Sequence, residues 1–261
     1  MTLEVKHGCF SYGTHRVLND VNLKVDSCDI VAILGRHGIG KTTLLKCIMG
    51  MLPWQSGGAY LDGMDIRTIP QRQLWRDVAY VPQAKNAFDY PVRDMIVMGR
   101  SSHIGTFGRP SAADYEIADS IVERLGIQSF AHKSCTQLSG GQLQLVLIGR
   151  ALASEPKILI MDEPESNLDY HNQLHVLDLV KEIARTTACV LNTHYPDHAL
   201  RYANKAFLLL PTGEGIMGTT QEVITQDHLQ RAFHINVHVG EAQVQGEPYP
   251  YIIPLHTHIA V

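Results

Sequence analysis

Long apolar segments are missing from this sequence, and their absence excludes a chain that spans a membrane by itself. No hydrophobic run approaches the roughly 18 residues that a membrane-spanning helix needs, and the run at residues 205–210 has the length of a strand. Residues 1–6 do not show the charged and then apolar pattern of a secretory signal. We therefore expect a cytoplasmic protein, which can still attach to the surface of a membrane.

Cysteine and positive charge are also scarce. The 22 Lys and Arg residues are outnumbered by 26 Asp and Glu residues, which gives a net charge of −4 and no overall basic field of the kind that binds nucleic acid. The five cysteines form no C-x-x-C pair, so we expect reduced thiols rather than a disulfide framework. With no low-complexity tract or internal repeat, the composition indicates an ordinary globular protein without a nucleic-acid partner.

A glycine-rich loop is the most informative feature that the sequence does contain. It follows the apolar run at residues 30–34, fits the pattern G-x-x-x-x-G-K-[ST] and reads Gly35-Arg36-His37-Gly38-Ile39-Gly40-Lys41-Thr42-Thr43. In such a loop the backbone N–H groups surround a phosphate, Lys41 reaches the β- and γ-phosphates, and the hydroxyl of Thr42 ligates Mg²⁺. An incidental glycine-rich turn is the alternative, but the preceding strand and the helix-forming residues that follow supply the context that the motif requires. The loop predicts that the chain binds a nucleoside triphosphate.

Two further motifs fit the same chemistry. The apolar run at residues 158–161 ends in Asp162 and Glu163, and Pro164 stops the strand there, so both carboxylates are expected at the edge of the sheet. Beside a P-loop, Asp162 is expected to hold Mg²⁺ and Glu163 to orient or deprotonate the attacking water. Residues 138–142 read Leu-Ser-Gly-Gly-Gln and open a second helix, with Ser139 as its cap or as a phosphate ligand. The alternatives are that residues 162–163 form only an acidic turn and that Ser139 is only a helix cap.

The succession of elements predicts an α/β fold. Strands are expected at residues 3–6, 17–25, 30–34, 59–61, 78–81, 158–161, 189–192 and 205–210, with a hairpin turn at Asp62-Gly63. Helices are expected from the P-loop to about residue 51, within 91–126 up to a C-cap at Gly126, and at 140–153, 170–184 and 197–202. Such alternation indicates a mostly parallel sheet with helices on both faces, and the helical block at residues 91–153 indicates an inserted subdomain.

The order of these motifs resembles that of the ATPase subunits of ABC (ATP-binding cassette) transporters. The shared features are the P-loop, Leu-Ser-Gly-Gly-Gln, the strand that ends in Asp-Glu-Pro, and Asn192-Thr193-His194, and they cover nearly the whole chain. The resemblance implies a single cassette over residues 1–261, whose P-loop NTPase (RecA-like) core with an antiparallel β subdomain occupies residues 1–90 and 154–261. It also implies that residues 91–153 form an α-helical signature subdomain.

The resemblance also implies a role for each motif residue. Tyr12 stacks on adenine, Gln83 senses Mg²⁺ and the attacking water, and His194 contacts the γ-phosphate. The implied Mg²⁺ ligands are Thr42, Gln83 and Asp162, and the implied catalytic residues are Lys41, Gln83, Glu163 and His194. The implied ATP-binding residues are Tyr12, Gly35, Arg36, His37, Gly38, Ile39, Gly40, Lys41, Thr42, Thr43, Ser139, Gly140, Gly141, Gln142 and Asp169. Each of these residues also has an ordinary alternative when taken singly: Tyr12 as a surface tyrosine, Gln83 as a turn residue and His194 as a solvated histidine.

Partners follow from the same resemblance. Two cassettes of this family pack head to tail, so that the P-loop of one and residues 139–142 of the other enclose each ATP, and the loop at residues 166–169 crosses between them. This arrangement accounts for two phosphate-binding helix starts in a chain with one P-loop lysine, and it implies a homodimer. The other implied partners are polytopic permease subunits, met through the helices near residues 83–100 on the cytoplasmic side of the cell membrane, and indirectly a substrate-binding protein.

The type of cassette is indicated by residues 97–110 and Asp114, which resemble the helical subdomain of metal-chelate importers. Those importers transport siderophores, haem, cobalamin and, in some systems, molybdate or tungstate. No residue of the chain identifies the cargo. The chain departs from the family pattern at Glu165, where threonine is usual, and at Leu143 and Leu145, where arginines are frequent. A soluble ABC ATPase that moves no cargo, such as an iron–sulfur assembly or repair component, is the alternative function.

Overall fold

Strands and helices alternate along the chain in the computed structural model, which describes residues 1–84, 88–105 and 108–257. The strands are β1 (Leu3–Tyr12), β2 (His15–Val25), β3 (Ile30–Leu34), β4 (Ser56–Leu61), β5 (Met64–Asp65), β6 (Val78–Val81), β7 (Ile158–Asp162), β8 (Ala188–Asn192), β9 (Lys205–Leu209), β10 (Gly215–Thr219), β11 (Ile235–Val244) and β12 (Glu247–Thr257). The helices are α1 (Lys41–Ile48), α2 (Gln71–Asp77), α3 (Val92–Val97), α4 (Ala112–Arg124), α5 (Gly140–Leu152), α6 (Tyr170–Ile183), α7 (Pro196–Tyr202), α8 (Thr220–Val223) and α9 (Gln226–Phe233). Across these described residues, no helix combines the length and the apolar composition needed to cross a bilayer.

The chain divides into two compact units. The first comprises Met1–Thr68 and Val190–Val261, and the second comprises Ile69–Cys189, so the division falls inside β8. The second unit contains α3, α4 and α5 of the predicted helical block, together with α2, β6, β7 and α6. The compact unit is therefore larger than the helical block, and residues 91 and 153 stay predicted limits of a signature subdomain.

The first unit combines antiparallel and parallel strands, as the predicted α/β fold requires. Its antiparallel sheet has the order β2-β1-β4-β5, and the turn at Asp62-Gly63, with both residues at positive φ, confirms the predicted hairpin. A second set of strands has the order β10-β9-β3-β8, in which β3 and β9 are parallel. All five residues of β3 are buried, which explains why this strand is an unbroken apolar run rather than an alternating one.

The chain after Pro211 also belongs to the first unit, and the sequence pattern assigned no elements there. Strand β10 pairs antiparallel with β9, and the helices α8 and α9 lead into the β11–β12 hairpin. The hairpin is anchored by Val237, which shares an apolar core with Leu208 of β9 and Leu229 of α9. This contact between distant parts of the chain orders a segment whose local sequence pattern is mixed.

The second unit is built around α5. This helix buries ten of its residues, and Leu143 and Leu145, the two departures from the family pattern, are each 8% exposed. Both leucines therefore contribute apolar surface to the core, where two arginines would have needed charged partners. Strands β6 and β7 pair in parallel, with Val81 beside Met161, and the end of β7 carries the predicted carboxylates.

A buried ion pair connects three helical segments of the second unit. Arg100, in the short 3-10 helix Met98–Ser102, donates from Nε to Asp114 Oδ1 at 3.0 Å and from Nη1 to Ala153 O at 2.8 Å. The hydroxyl and backbone N–H of Ser111, followed by the guanidinium of Arg100, lower the pKa of Asp114 to about 2. Asp114 is therefore ionised at neutral pH, and the pair holds the start of α4 and the end of α5 together.

Helix ends depend on two glycines. Gly126 has φ 66°, and the bonds from Gly126 N to Glu123 O and from Ile127 N to Val122 O end α4 at the predicted C-cap. The predicted end of α1 near residue 51 was wrong by three residues. Gly50 adopts φ 70° and Met51 N donates to Lys46 O, so the same capping motif ends α1 at Ile48.

Candidate functional site

The glycine-rich loop of the first unit joins β3 to α1 in a conformation that needs glycine. Gly38 has φ 76° and Gly40 has φ 118°, values that side chains on other residues disfavour. A Cβ atom at Gly40 would also lie 2.3 Å from Val17 Cγ1. The loop therefore leaves β3 and enters α1 with its backbone N–H groups at a helix start, which is the geometry expected to surround a phosphate.

Lys41 is held inside this loop and is only 4% exposed. Its Nζ donates to Gly35 O at 2.8 Å and Arg36 O at 3.0 Å, and it contacts His194 Nδ1 at 3.2 Å. His194 follows β8, which neighbours β3, so adjacent strand ends bring the two predicted residues together. An ammonium and an imidazole thus lie where a triphosphate is expected to place its terminal charge.

The remaining predicted residues of the first unit lie on the same loop or on β1. The side chains of Arg36, His37 and Thr42 are exposed, and those of Ile39 and Thr43 are half-buried. Tyr12 ends β1 and is 52% exposed, with its ring edge-on to Phe10 at a centroid distance of 4.9 Å. Phe10 therefore holds an exposed aromatic face in place, as a stacking partner for adenine requires.

The predicted carboxylates lie at the end of β7 in the second unit. Tyr80 of β6 donates from its hydroxyl to Asp162 Oδ2 at 3.1 Å, and burial, followed by this neighbouring carboxylate, raises the pKa of Tyr80 so that it stays a donor. Gln83 Nε2 and Ser166 Oγ both donate to Glu163 Oε2, at 3.2 Å and 3.1 Å. The structure therefore brings Gln83 and Glu163 together and leaves the carboxylate in a polar setting suited to binding a water.

Backbone strain marks the same position. Glu163 has φ 51°, and a residue with a side chain in this region carries a cost of about 1–3 kcal/mol. Its backbone O accepts from Ser166 N at 3.1 Å, which closes a tight turn directly after the strand. No sequence motif indicated that Tyr80 and Ser166 support the two carboxylates. The role of Tyr80 could be predicted from the sequence, because the hydroxyl of a tyrosine in a short apolar strand needs a buried hydrogen-bond partner.

Ser139 begins α5 with a capping box. Its Oγ accepts from Gln142 N at 3.3 Å, and Gln142 Oε1 accepts from Ser139 N at 3.0 Å. Ser139 and Gly140 are exposed, whereas a Cβ at Gly141 would lie 2.8 Å from Asn172 Cγ. Ser139 therefore caps the helix as an acceptor, and a contact between its hydroxyl hydrogen and a phosphate oxygen stays a prediction.

The loop between β7 and α6 contains the last predicted nucleotide-site residue. Asp169 is the N-cap of α6, and its carboxylate accepts from Asn172 N at 2.8 Å and Asn172 Nδ2 at 2.9 Å. These bonds lower the pKa of Asp169, with the backbone N–H of Asn172 as the main cause. Its carboxylate thus caps the N-terminus of α6, and an ATP contact by Asp169 stays a prediction. Glu165 in the same loop is fully buried.

The chain is similar to known proteins over most of its length. The ABC transporter family model matches residues 18–166, more than half of the chain. The molybdate import ATP-binding protein MolC of Haemophilus influenzae is 34% identical over 258 residues, covering 97% of this chain and 96% of the relative. The cobalamin import ATP-binding protein BtuD of Halobacterium salinarum is 32% identical over 249 residues, covering 94% of this chain and 62% of the relative.

A solved structure extends the likeness to three dimensions. A chain of a metal-chelate type ABC transporter in an inward-facing conformation superimposes with a TM-score of 0.88 at 33% identity, covering 98% of both chains. The match to the family and these similarities show that the chain belongs to the ABC transporter family, as an ATP-binding subunit that hydrolyses ATP to drive transport and that is similar to those of molybdate, cobalamin and metal-chelate transporters.

Proposed function

We propose that this chain energises the import of a metal chelate or of a molybdate-type oxyanion. It works as a homodimer on the cytoplasmic side of the membrane, bound to polytopic permease subunits that receive cargo from a substrate-binding protein. The observation that carries this proposal is the similarity, over 98% of both chains, to a subunit of a metal-chelate type transporter. The import proteins for molybdate and cobalamin among the relatives support the same cargo class.

Magnesium binding is part of the proposal, because the available donors suit this ion. The hydroxyl of Thr42, the carboxylate of Asp162 and the amide oxygen of Gln83 are hard oxygen ligands, which Mg²⁺ prefers. Asp162 is 8% exposed and is oriented by the Tyr80 hydroxyl, so one ligand is already fixed in direction. When bound, Mg²⁺ neutralises charge on the β- and γ-phosphates.

Hydrolysis would then use four of the predicted side chains, each in a separate role. Glu163 accepts a proton from the attacking water, and Gln83 and Ser166 hold its carboxylate in place through their bonds to Oε2. Lys41 offsets the charge of the γ-phosphate, and His194 donates to one of its oxygens. The exposed start of α5 supplies the hydroxyl hydrogen of Ser139 and the backbone N–H of Gly140 to the ATP held by a second copy of the chain.

A groove in the second unit is the proposed docking surface for the permease. It has a volume of about 550 Å³, and its walls include Tyr90, Met98, Ile104, Pro110 and Tyr115, with the acid Asp94. Tyr90 and Met98 remain 49% and 42% exposed, which leaves apolar surface for a partner to cover. The occupant that fits is a short amphipathic helix with an apolar face and a basic residue opposite Asp94.

Arginines of α2 and α3 contact the walls of this groove. Arg72 donates from Nε to Ser102 O at 2.9 Å and from Nη2 to Ile104 O at 2.9 Å, and Arg76 Nε donates to Ser102 O at 2.9 Å. Arg93 lies over the ring of Tyr115, 4.6 Å from its centroid. A preformed groove loses little entropy when a helix enters it, which favours docking.

Met98→Asp should therefore uncouple the chain from its membrane partner. A buried carboxylate in the apolar interface is expected to weaken co-purification of the permease at least about tenfold, because one unpaired buried charge costs several kcal/mol. Met64 of β5 is 53% exposed, so Met64→Asp is the matched control. We expect ATP binding by the isolated chain to stay unchanged in both variants. Equal recovery of the permease with Met98→Asp and Met64→Asp would exclude the groove as the docking surface.

Identification of the membrane partner and of the cargo tests the proposed function as a whole. We expect a polytopic protein to co-purify from detergent-solubilised membranes and, after reconstitution in vesicles, to stimulate ATP hydrolysis when the binding protein carries a siderophore, haem, cobalamin or molybdate. An exclusively soluble partner would overturn the importer and favour the non-transport ATPase. Stimulation by a sugar or an amino acid, with none by these ligands, would overturn the cargo class.

A further inference from the structure

The side chain of His37 contacts the imidazole of His194. Their ring centroids are 5.4 Å apart, and their planes are inclined by 44°. His37 lies in the glycine-rich loop after β3, and His194 lies in the segment after β8, the strand beside β3. The sequence indicated only the backbone of His37 as a phosphate ligand, so this ring contact is a separate feature of the loop.

The bond to Lys41 determines which nitrogen of His194 carries the proton. An ammonium has three hydrogens and accepts no hydrogen bond, so Lys41 Nζ is the donor and His194 Nδ1 is the acceptor over their 3.2 Å separation. A neutral imidazole that accepts at Nδ1 carries its hydrogen on Nε2. This tautomer presents an N–H at Nε2, which is the group that an anionic phosphate oxygen requires as a partner.

Both rings start from backbone positions that are held in place. Thr193 N donates to Ile33 O at 3.1 Å, and Tyr195 N donates to Thr193 Oγ1 at 3.1 Å, so the backbone on both sides of His194 is fixed. In the loop, Ile39 N donates to Arg36 O at 3.4 Å, across His37. With both backbones fixed, the side-chain torsions decide where the imidazole of His194 points, and contact with a neighbouring ring restricts them.

We infer that His37 is a positioning residue, which holds the ring of His194 in the orientation that faces Lys41 at Nδ1 and presents Nε2–H to the γ-phosphate. The inference rests on the proposed contact between His194 and the γ-phosphate. When ATP enters, Lys41 exchanges its bond to Nδ1 for a phosphate oxygen, and the ring contact with His37 keeps the imidazole from turning. His37 acts on hydrolysis through His194 and does not touch the reacting atoms.

Steady-state kinetics of the full chain separates this role from plain nucleotide binding. We expect His37→Ala to lower kcat about tenfold, since misplacement of a catalytic group by 1 Å costs up to about 100-fold. The KM for ATP should change less than about twofold, because only the transition-state contact is affected. His37→Phe retains a ring and should restore kcat to within about threefold of the parent. His132→Ala, at another exposed histidine, is the control and should be neutral.

A double-mutant cycle tests whether His37 acts through His194. In a His194→Ala background, His37→Ala should have no further effect on kcat, because the ring that it positions is gone. Equal losses in both backgrounds would overturn the inference. It would also be overturned if His37→Ala raised KM with unchanged kcat, or if His37→Phe were as impaired as His37→Ala.

Nitrogen-15 NMR of the imidazoles in the nucleotide-free chain gives a readout that does not need turnover. His194, assigned through His194→Ala, should show an unprotonated Nδ1 and a protonated Nε2. With His37→Ala the signals should move toward a mixture of the two tautomers, and with His37→Phe they should not move. Unchanged His194 signals in His37→Ala would overturn the inference, whether or not His194 contacts the γ-phosphate.

Discussion

Glu163→Gln should lower kcat for ATP hydrolysis roughly 10³-fold, within the range expected for loss of a general base. The amide is nearly the same size as the carboxylate, so the turn at φ 51° and the hydrogen bond from Ser166 Oγ can persist. ATP binding should therefore be retained. Because ATP is proposed to close a homodimer and is no longer hydrolysed in this variant, the variant should accumulate as a dimer in the presence of ATP and Mg²⁺, as measured by size-exclusion chromatography.

The control for this prediction is Glu155→Gln. Glu155 also has a left-handed backbone, at φ 52°, and it also loses a negative charge, but its carboxylate pairs with Arg100. We expect this variant to hydrolyse ATP within about twofold of the parent and to show no dimer trapped by ATP. Near-normal turnover by Glu163→Gln would instead show that Glu163 is not the general base.

Ser139→Arg is the second substitution with a large expected effect. The arginine replaces a small exposed residue at the start of α5, where the ATP of a second copy is expected to bind. Its bulk should prevent closure of the dimer and lower kcat at least about 100-fold, the cost of losing one oxyanion-type donor. ATP binding to the monomer should be unchanged in equilibrium titration, because the P-loop lies elsewhere in the sequence.

The start of α4 supplies a matched control for the structural part of this effect. Ser111 forms the same capping box with Asp114, and loss of a serine cap typically costs about 1 kcal/mol of stability. Ser111→Arg and Ser139→Arg should both lower the melting temperature, whereas only Ser139→Arg should block turnover. If both variants lost activity in proportion to stability, Ser139 would be a helix cap and no part of a shared ATP site.

Much of the fold could be predicted from local signals. Gly126 marked the end of α4 because a C-cap needs positive φ, and the Asp62-Gly63 hairpin followed from the same requirement at a turn. The strand β7 and the two acidic residues at its end were predictable, since Pro164 cannot continue a strand. Gly50 carries the same signal as Gly126, and it ends α1 three residues before the predicted limit near residue 51.

Other features depend on contacts that no local pattern contains. The β11–β12 hairpin is ordered by the burial of Val237 against parts of the chain that are distant in sequence. Leu143 and Leu145 are departures from a family pattern in the sequence, and only the packing of α5 shows that they belong to the core. The groove beside Met98 likewise requires the arginines of α2 to reach carbonyl groups about thirty residues away.

The sequence alone determined that this chain binds a nucleoside triphosphate and belongs among ABC ATPases, because those motifs are short and are defined by residue type and spacing. Only the tertiary structure decided how the motif residues support one another. Lys41 meets His194 across 153 positions of sequence, Gln83 meets Glu163 across 80, and His37 meets His194 because their strands are neighbours. The spacing of residues along the chain identifies the chemistry of each motif. The orientation and the protonation of the motif side chains depend on partners that folding brings within hydrogen-bonding distance.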